Sequence, residues 1–158
     1  MSPPPSSAFH ELDALLGEWT WEASIGGTPT AQGEASFEWL EGDGFLVQRT
    51  DGEPAETAPG EWITNSPFPT AAIIAFDDVS GVFSYAYADA RGVRRVYQMH
   101  LADRVWEISG QAGLEFYQRF RGAFSSDEQS IDGRWERSRD GEHWDTDFDI
   151  TYTKIVTR

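Results

Sequence analysis

The 158-residue sequence contains no cysteine. That absence excludes disulfides, thiolate nucleophiles and cysteine-ligated zinc. It is compatible with the cytoplasm, which is the expected compartment. Positive charge is also scarce. Twelve Lys and Arg stand against 27 Asp and Glu, for a formal charge of −15, and Lys154 is the sole lysine. A surface of that sign repels phosphate backbones, and no basic stripe compensates, so neither nucleic acid nor an anionic membrane is an expected partner. No run approaches the ~18 apolar residues that a spanning helix needs. The opening MSPPPSSAFHE has no basic n-region and no apolar h-region, so it does not read as a signal peptide. Repeats, a Gly-rich phosphate loop, HExxH and GxSxG are all missing. No metal and no cofactor is expected.

What is present is aromatic: 14% of the residues, with seven Trp. The length suits one core, and the expected organisation is a disordered Pro/Ser-rich segment 1–6 followed by a single domain 7–158. Ser6 or Ser7 is placed to cap a short helix. In it Phe9, Leu12, Leu15 and Leu16 recur at helical spacing, and Gly17 ends it. Beyond Glu18 the helical period gives way to alternation between short turns. Trp19, Trp21 and Ala23 alternate with Glu18, Thr20 and Glu22, and Phe37 and Trp39 with Ser36 and Glu38. Further strands are predicted near 45–50, 71–77, 82–88, 93–101, 104–109, 114–124, 130–138 and 146–155. Turn signals at Glu41–Gly44, Asp77–Gly81, Asp89–Gly92, Ser125–Glu128 and Ser138–Gly141 separate several of them. About ten strands with hairpin links predict an all-β, up-and-down antiparallel barrel behind a short N-terminal helix. Residues 51–70 break the rhythm with four Pro and two large aromatics, Trp62 and Phe68. A link this long in a compact barrel is expected to be a lid or portal.

Alternation also assigns faces. Arg119 and Arg121, then Asp132, Arg134 and Glu136, then Asp147 and Asp149 fall on the charged sides of three successive strands. Their signs complement one another, as in an exposed ion-pair ladder, and burying them all would carry a heavy desolvation cost. Asp147 and Asp149 are therefore expected to face outward. The inward set becomes Trp19, Trp21, Phe37, Trp39, Tyr97, Met99, Trp106, Ile108, Leu114, Phe116, Gln118, Phe120, Trp135, Ile150 and Tyr152. Strand 82–88 allows two choices: Phe83, Tyr85 and Tyr87 inside, or the small residues Ser84, Ala86 and Ala88. Trp19 is expected to plug the barrel base.

The segments Gly17-Glu18-Trp19, Gly33–Leu40, Ile74–Gly81, Arg95–Leu101 and Gly133–Asp140 resemble the calycin superfamily, in particular its DUF1579-type, lipocalin-like bacterial proteins. The resemblance spans nearly the whole chain and implies a barrel with an interior cavity, but no catalytic set. It extends more distantly to fatty-acid-binding proteins and nitrobindin-like haem barrels. In the nitrobindin-like pattern Gly-x-Trp continues as Gly-x-Trp-x-Gly-x-Gly, where this chain has Trp21 and Ala23. The axial haem histidine of that pattern falls on Asp147, a poor ligand for haem iron. His100 and His143 read as surface residues. A homodimer is expected for the class.

The function expected is binding of a small apolar or aromatic molecule inside the barrel. Trp21, Phe37, Trp39, Tyr97, Met99, Trp106, Phe116, Gln118, Phe120, Trp135 and Tyr152 would line the site, and Trp62 and Phe68 would cover it. This reading needs an interior that side chains do not fill. The alternative is an isomerase, cyclase or hydrolase acting on a hydrophobic metabolite in the same cavity, with Tyr97, Gln118 and Tyr152 orienting it. That alternative calls for a charged group on an inward face, and alternation secures none. A third option is association through exposed strand edges or the acidic loop.

Overall fold

A computed structural model describes residues 10–40, 42 and 44–155. The expectations for segment 1–6, the Ser6/Ser7 cap, Phe9, Glu41 and Asp43 lie outside these residues. The N-terminal helix is represented by helical backbone at His10 and Glu11 that runs into a 3-10 turn, Leu12–Ala14. Ten strands follow: β1 Gly17–Ile25, β2 Thr28–Leu40, β3 Phe45–Pro54, β4 Thr70–Asp77, β5 Val82–Asp89, β6 Arg94–Ala102, β7 Val105–Gly113, β8 Phe116–Phe124, β9 Ser130–Ser138 and β10 Asp145–Lys154. One short helix, α1 (Gly60–Thr64), sits between β3 and β4. Each strand pairs antiparallel with its chain neighbour, and β1 pairs with β10, so the barrel closes. Closure removes the free strand edges, which corrects the expectation of edge-to-edge association.

One end of the barrel is sealed by large apolar side chains. Leu12, Leu15, Trp19 and Ile131 are essentially solvent-free, and Trp19 Nε1 donates to the Leu15 carbonyl at 2.9 Å. Phe124 meets the Trp19 ring edge-on, and the Lys154 ammonium lies 5.3 Å from its centroid. Trp19 thus plugs the base as expected. Above it Phe37, Trp106, Phe120 and Tyr152 pack in tilted or edge-on ring pairs, the geometry that aromatic quadrupoles favour.

The opposite end, the mouth, is less regular. All three register shifts in the sheet fall there, at Ala23/Ser24, Gln111/Gly113 and Thr146/Phe148. Bulges of this kind concentrate at barrel rims, where they re-aim side chains. β3 runs to Pro54, so 51–54 is strand rather than part of the Pro-rich link. The remaining segment, 55–69, crosses the mouth. It is tied down by hydrogen bonds from Ala55 N to the Thr30 carbonyl, Thr57 Oγ1 to the Pro29 carbonyl and Ala90 N to the Pro67 carbonyl.

On the outer wall, Arg119 pairs with Glu136 and Arg134 with Asp149, each at 2.8 Å. The expected ladder is present there, and Asp149 faces out.

Candidate functional site

The expected interior residues divide into two groups. Phe37, Met99, Trp106, Phe120 and Tyr152 are buried at the base and mid-height of the barrel. Trp39 is half-buried, opposite Leu46 at the base end of β2. These residues fill the lower barrel with their own rings. β5 adds to this by turning Phe83, Tyr85 and Tyr87 inward and leaving Ala86 and Ala88 outside. The small-residue alternative is overturned, and with it the room that it would have left. Two open concavities are present, one lined by residues that include Glu34, Arg49 and Thr70 and the other by residues that include Arg121, Arg134 and Asp149.

Several polar groups inside are matched to one another, while Thr30 Oγ1 and Trp106 Nε1 are buried without a hydrogen-bond partner. Tyr85 donates to Gln48 Oε1 at 2.6 Å, and Gln48 Nε2 donates to Thr50 Oγ1 at 3.2 Å. Tyr97 donates to Gln118 Oε1 at 2.7 Å. Burial pushes the Tyr85, Tyr97 and Tyr152 hydroxyls above their ordinary range, so they remain neutral donors. Alternation at 45–50 contained the signal for Gln48, since Leu46 and Gln48 share a face. The Tyr97–Gln118 bond depends on Gly110, which lies between them on β7. A Cβ at Gly110 would sit 2.9 Å from Tyr97 Cδ1.

The second group surrounds the mouth. Rings follow one another from Tyr97 to Trp135 (6.4 Å between centroids), from Trp135 to Phe148 (6.4 Å) and from Phe148 to Trp62 on α1 (5.1 Å). On the other side Phe68 lies 5.1 Å from Trp21, whose Nε1 donates to the Asp51 carbonyl. Trp62, Phe68, Trp135 and Phe148 all remain part-exposed. Phe148 is on the same strand as Ile150 and Tyr152 of the inward set and is an addition to the site residues expected from the sequence.

Three expectations fail at the rim. Leu114 lies in the β7–β8 turn and is 94% exposed, because the turn takes up both Leu114 and Glu115 before β8 begins. Phe116 opens β8 at the rim and is 37% exposed rather than enclosed. Asp147 does not share a face with Asp149. It is the bulge residue, skipped between Thr146↔Glu136 and Phe148↔Trp135. Its side chain is half-buried and lies 4.0 Å from Arg137. Burial raises its pKa, Arg137 lowers it and Glu61 of α1 raises it, and the net direction is up. Arg137 faces Asp147 rather than Glu136 or Asp140. Those two are taken by Arg119 and His143.

Two aspartates shape the loops around the mouth. Asp89 accepts from Tyr87 at 2.8 Å and from Arg91 at 2.6 Å. Burial pushes its pKa up, but these bonds outweigh burial and hold it below the usual range. Asp140 accepts from the backbone of Glu142 and His143 and contacts His143 Nδ1 at 2.6 Å, which holds its carboxyl well below that range. Asp140, Glu142 and His143 therefore converge, fully exposed, as part of a turn. His100 is exposed opposite Glu107 on the outer wall.

A closed, ten-stranded antiparallel barrel with one end plugged and a separate segment across the other has the architecture of a calycin-like, lipocalin-like barrel. Over 97% of this chain and 100% of the other, it is similar to the crystal structure of Rv2717c from M. tuberculosis, with a TM-score of 0.61 and 14% identity. It also aligns, at a TM-score of 0.46 and 10% identity over 94% of this chain and 99% of the other, with the structure of EF1p2_mFAP2b bound to DFHBI. No protein-family model and no curated protein matches the chain.

Proposed function

We propose that this protein binds a small apolar or aromatic molecule at the mouth of its barrel, beneath segment 55–69. The observation that carries the reading is the chain of rings Tyr97–Trp135–Phe148, which continues onto Trp62, a residue outside the barrel wall. A flat molecule fits beneath the Trp62 ring, where it would make edge and face contacts with the same set of rings. The packed lower barrel limits the site to the mouth. Tyr97 and Gln118 form its polar floor, and Trp21 and Phe68 its flank. A binding role is favoured over catalysis because the inner tyrosine hydroxyls are buried, neutral and engaged as donors to Gln48 and Gln118, which suits them to orient a molecule rather than to move a proton.

The test is fluorescence titration with a neutral fluorogenic aromatic, N-phenyl-1-naphthylamine. Saturable binding with one site per chain is expected. Trp62→Ala is expected to accelerate both association and dissociation, because Trp62 acts as the gate. Absence of binding to the wild type and to the variant alike would refute the reading.

The outer wall favours a second feature, pairing of two copies. Val47, Ile73, Ala86 and Val96 stand in register across four strands, outside the barrel. Ile73 is 42% exposed and Val96 75%. On the outward positions of β4 and β5 the one charged residue is Asp77, which caps its own turn through Val79 N. Arg49 and Arg94 border this patch. In a molecule of charge −15, it is where a second copy meets the least like-charge repulsion. Sedimentation velocity is expected to show a dimer that Ile73→Glu dissociates. A single monomeric species at tens of micromolar wild type would contradict this.

A further inference from the structure

Two arginines hold inward positions at the mouth. Arg95 lies one inward position mouthward of Tyr97 on β6, and Arg137 one mouthward of Trp135 on β9. Arg137 has Asp147 beside it. Arg95 is different. Its Nε is buried with no hydrogen-bond partner, and its guanidinium reaches only the Arg94 carbonyl, from Nη1 at 3.1 Å. No ion pair to Arg95 exists among the described residues. Apart from that carbonyl, none of its neighbours accepts from it. Tyr87, opposite it on β5, is bonded to Asp89, Asp89 is held by Arg91, and Tyr97 is bonded to Gln118. The β6–β7 ladder is also in register only from Gln98↔Ser109 toward the base, so Arg95 has no β7 partner. A buried donor left without an acceptor calls for a missing partner. On a cationic group the fitting partner is an anion, and a planar guanidinium suits a carboxylate or sulfonate.

We propose that the molecule bound at the mouth is an aromatic anion, its carboxylate or sulfonate held by Arg95 and its ring stacked against Trp135, Phe148 and Trp62. This rests on the mouth-binding reading and adds the ligand's charge to it. The location is against the long-range field, because a chain of charge −15 repels anions. Association therefore speeds up as salt screens that repulsion, while the enclosed contact at Arg95 is screened much less.

The test compares two probes with the same ring system, neutral N-phenyl-1-naphthylamine and anionic 1-anilinonaphthalene-8-sulfonate. A charge-assisted hydrogen bond in an enclosed site is worth about tenfold to a hundredfold in affinity. The sulfonate is expected to bind at least ~10-fold more tightly than the neutral probe. Arg95→Met is expected to erase that margin and leave neutral binding unchanged. Arg95→Lys, which keeps the charge without the fork, should retain part of it. Without probe, Arg95→Met should melt no lower than wild type, since it removes an unmatched donor. Equal affinities for the two probes in the wild type, or equal losses of both in Arg95→Met, would overturn the assignment of charge and leave mouth binding standing. Failure of both probes to bind would overturn the mouth reading and this proposal together.

Discussion

At the scale of single residues, Asp147 shows what a register shift does to chemistry. Alternation puts it beside Asp149 on the outer wall, and the bulge at Thr146/Phe148 separates them. No pattern within one strand encodes that skip, because register is a property of two strands. Asp149 keeps its partner Arg134, while Asp147 is desolvated beside Arg137 and Glu61. Its pKa is raised from the ordinary 3.8, so the folded state binds its proton more tightly than the unfolded one. The stabilisation linked to this group is complete below that ordinary value and is lost as pH climbs through the raised one. Asp147→Asn is therefore expected to melt at or above the wild-type temperature at pH 7 and to lose that advantage below pH ~4. A variant that melts lower than wild type at pH 7 would mean that the Arg137 contact outweighs desolvation. Gly110→Ala is a sharper change. Its Cβ would crowd Tyr97, and overpacking of this kind costs about 1–3 kcal/mol, measurable by urea denaturation. The Tyr97–Gln118 bond should be lost with it.

At the scale of elements, the two ends of the barrel are built differently. The base plug is solvent-free, and Trp19 combines burial, an indole hydrogen bond and contact with Phe124. Trp19→Ala is expected to cost about 3–5 kcal/mol. Segment 55–69 is held at the other end by hydrogen bonds near its two ends rather than by a solvent-free plug. α1 is five residues long, too short to hold its own helix in water, and it rests on the Trp62–Phe148 contact. Trp62→Ala is expected to cost no more than about 1.5 kcal/mol and to leave the base intact. Equal losses from the two substitutions, by chemical denaturation, would contradict this division. The strands themselves were legible from alternation, and the interruption between β3 and β4 from its prolines and aromatics. Strand β5 was ambiguous for a physical reason. Its outer face, Val82 to Ala88, is apolar as well, so hydrophobicity alone could not choose a side. The β7–β8 turn was misplaced because Leu114 continues the apolar alternation of β8 although it lies outside the strand.

At the scale of the whole molecule, sequence and structure agree on the barrel and differ on its contents. A ten-stranded barrel is wide enough to hold a cavity, but this one places Trp106, Phe37, Phe120 and Tyr152 across its lower half. Ring contacts between distant strands decide how much space remains, and the sequence does not state them. The inward arginine at 95 was legible, because it shares a face with Tyr97 and Met99, but its lack of a partner was not, since that depends on where the neighbouring strands end. The proposed site is thus confined to the mouth, where aromatic rings are near Arg95, whose Nε has no hydrogen-bond partner.

That confinement is the central claim, and the tryptophans report on it directly. Indole N–H resonances of Trp62 and Trp135 mark the mouth, and those of Trp19 and Trp106 mark the base. In a two-dimensional ¹H–¹⁵N NMR titration with 1-anilinonaphthalene-8-sulfonate, the Trp62 and Trp135 signals are expected to move saturably while Trp19 and Trp106 stay in place. Movement of the Trp19 and Trp106 signals instead, or movement of none of the four, would contradict the account.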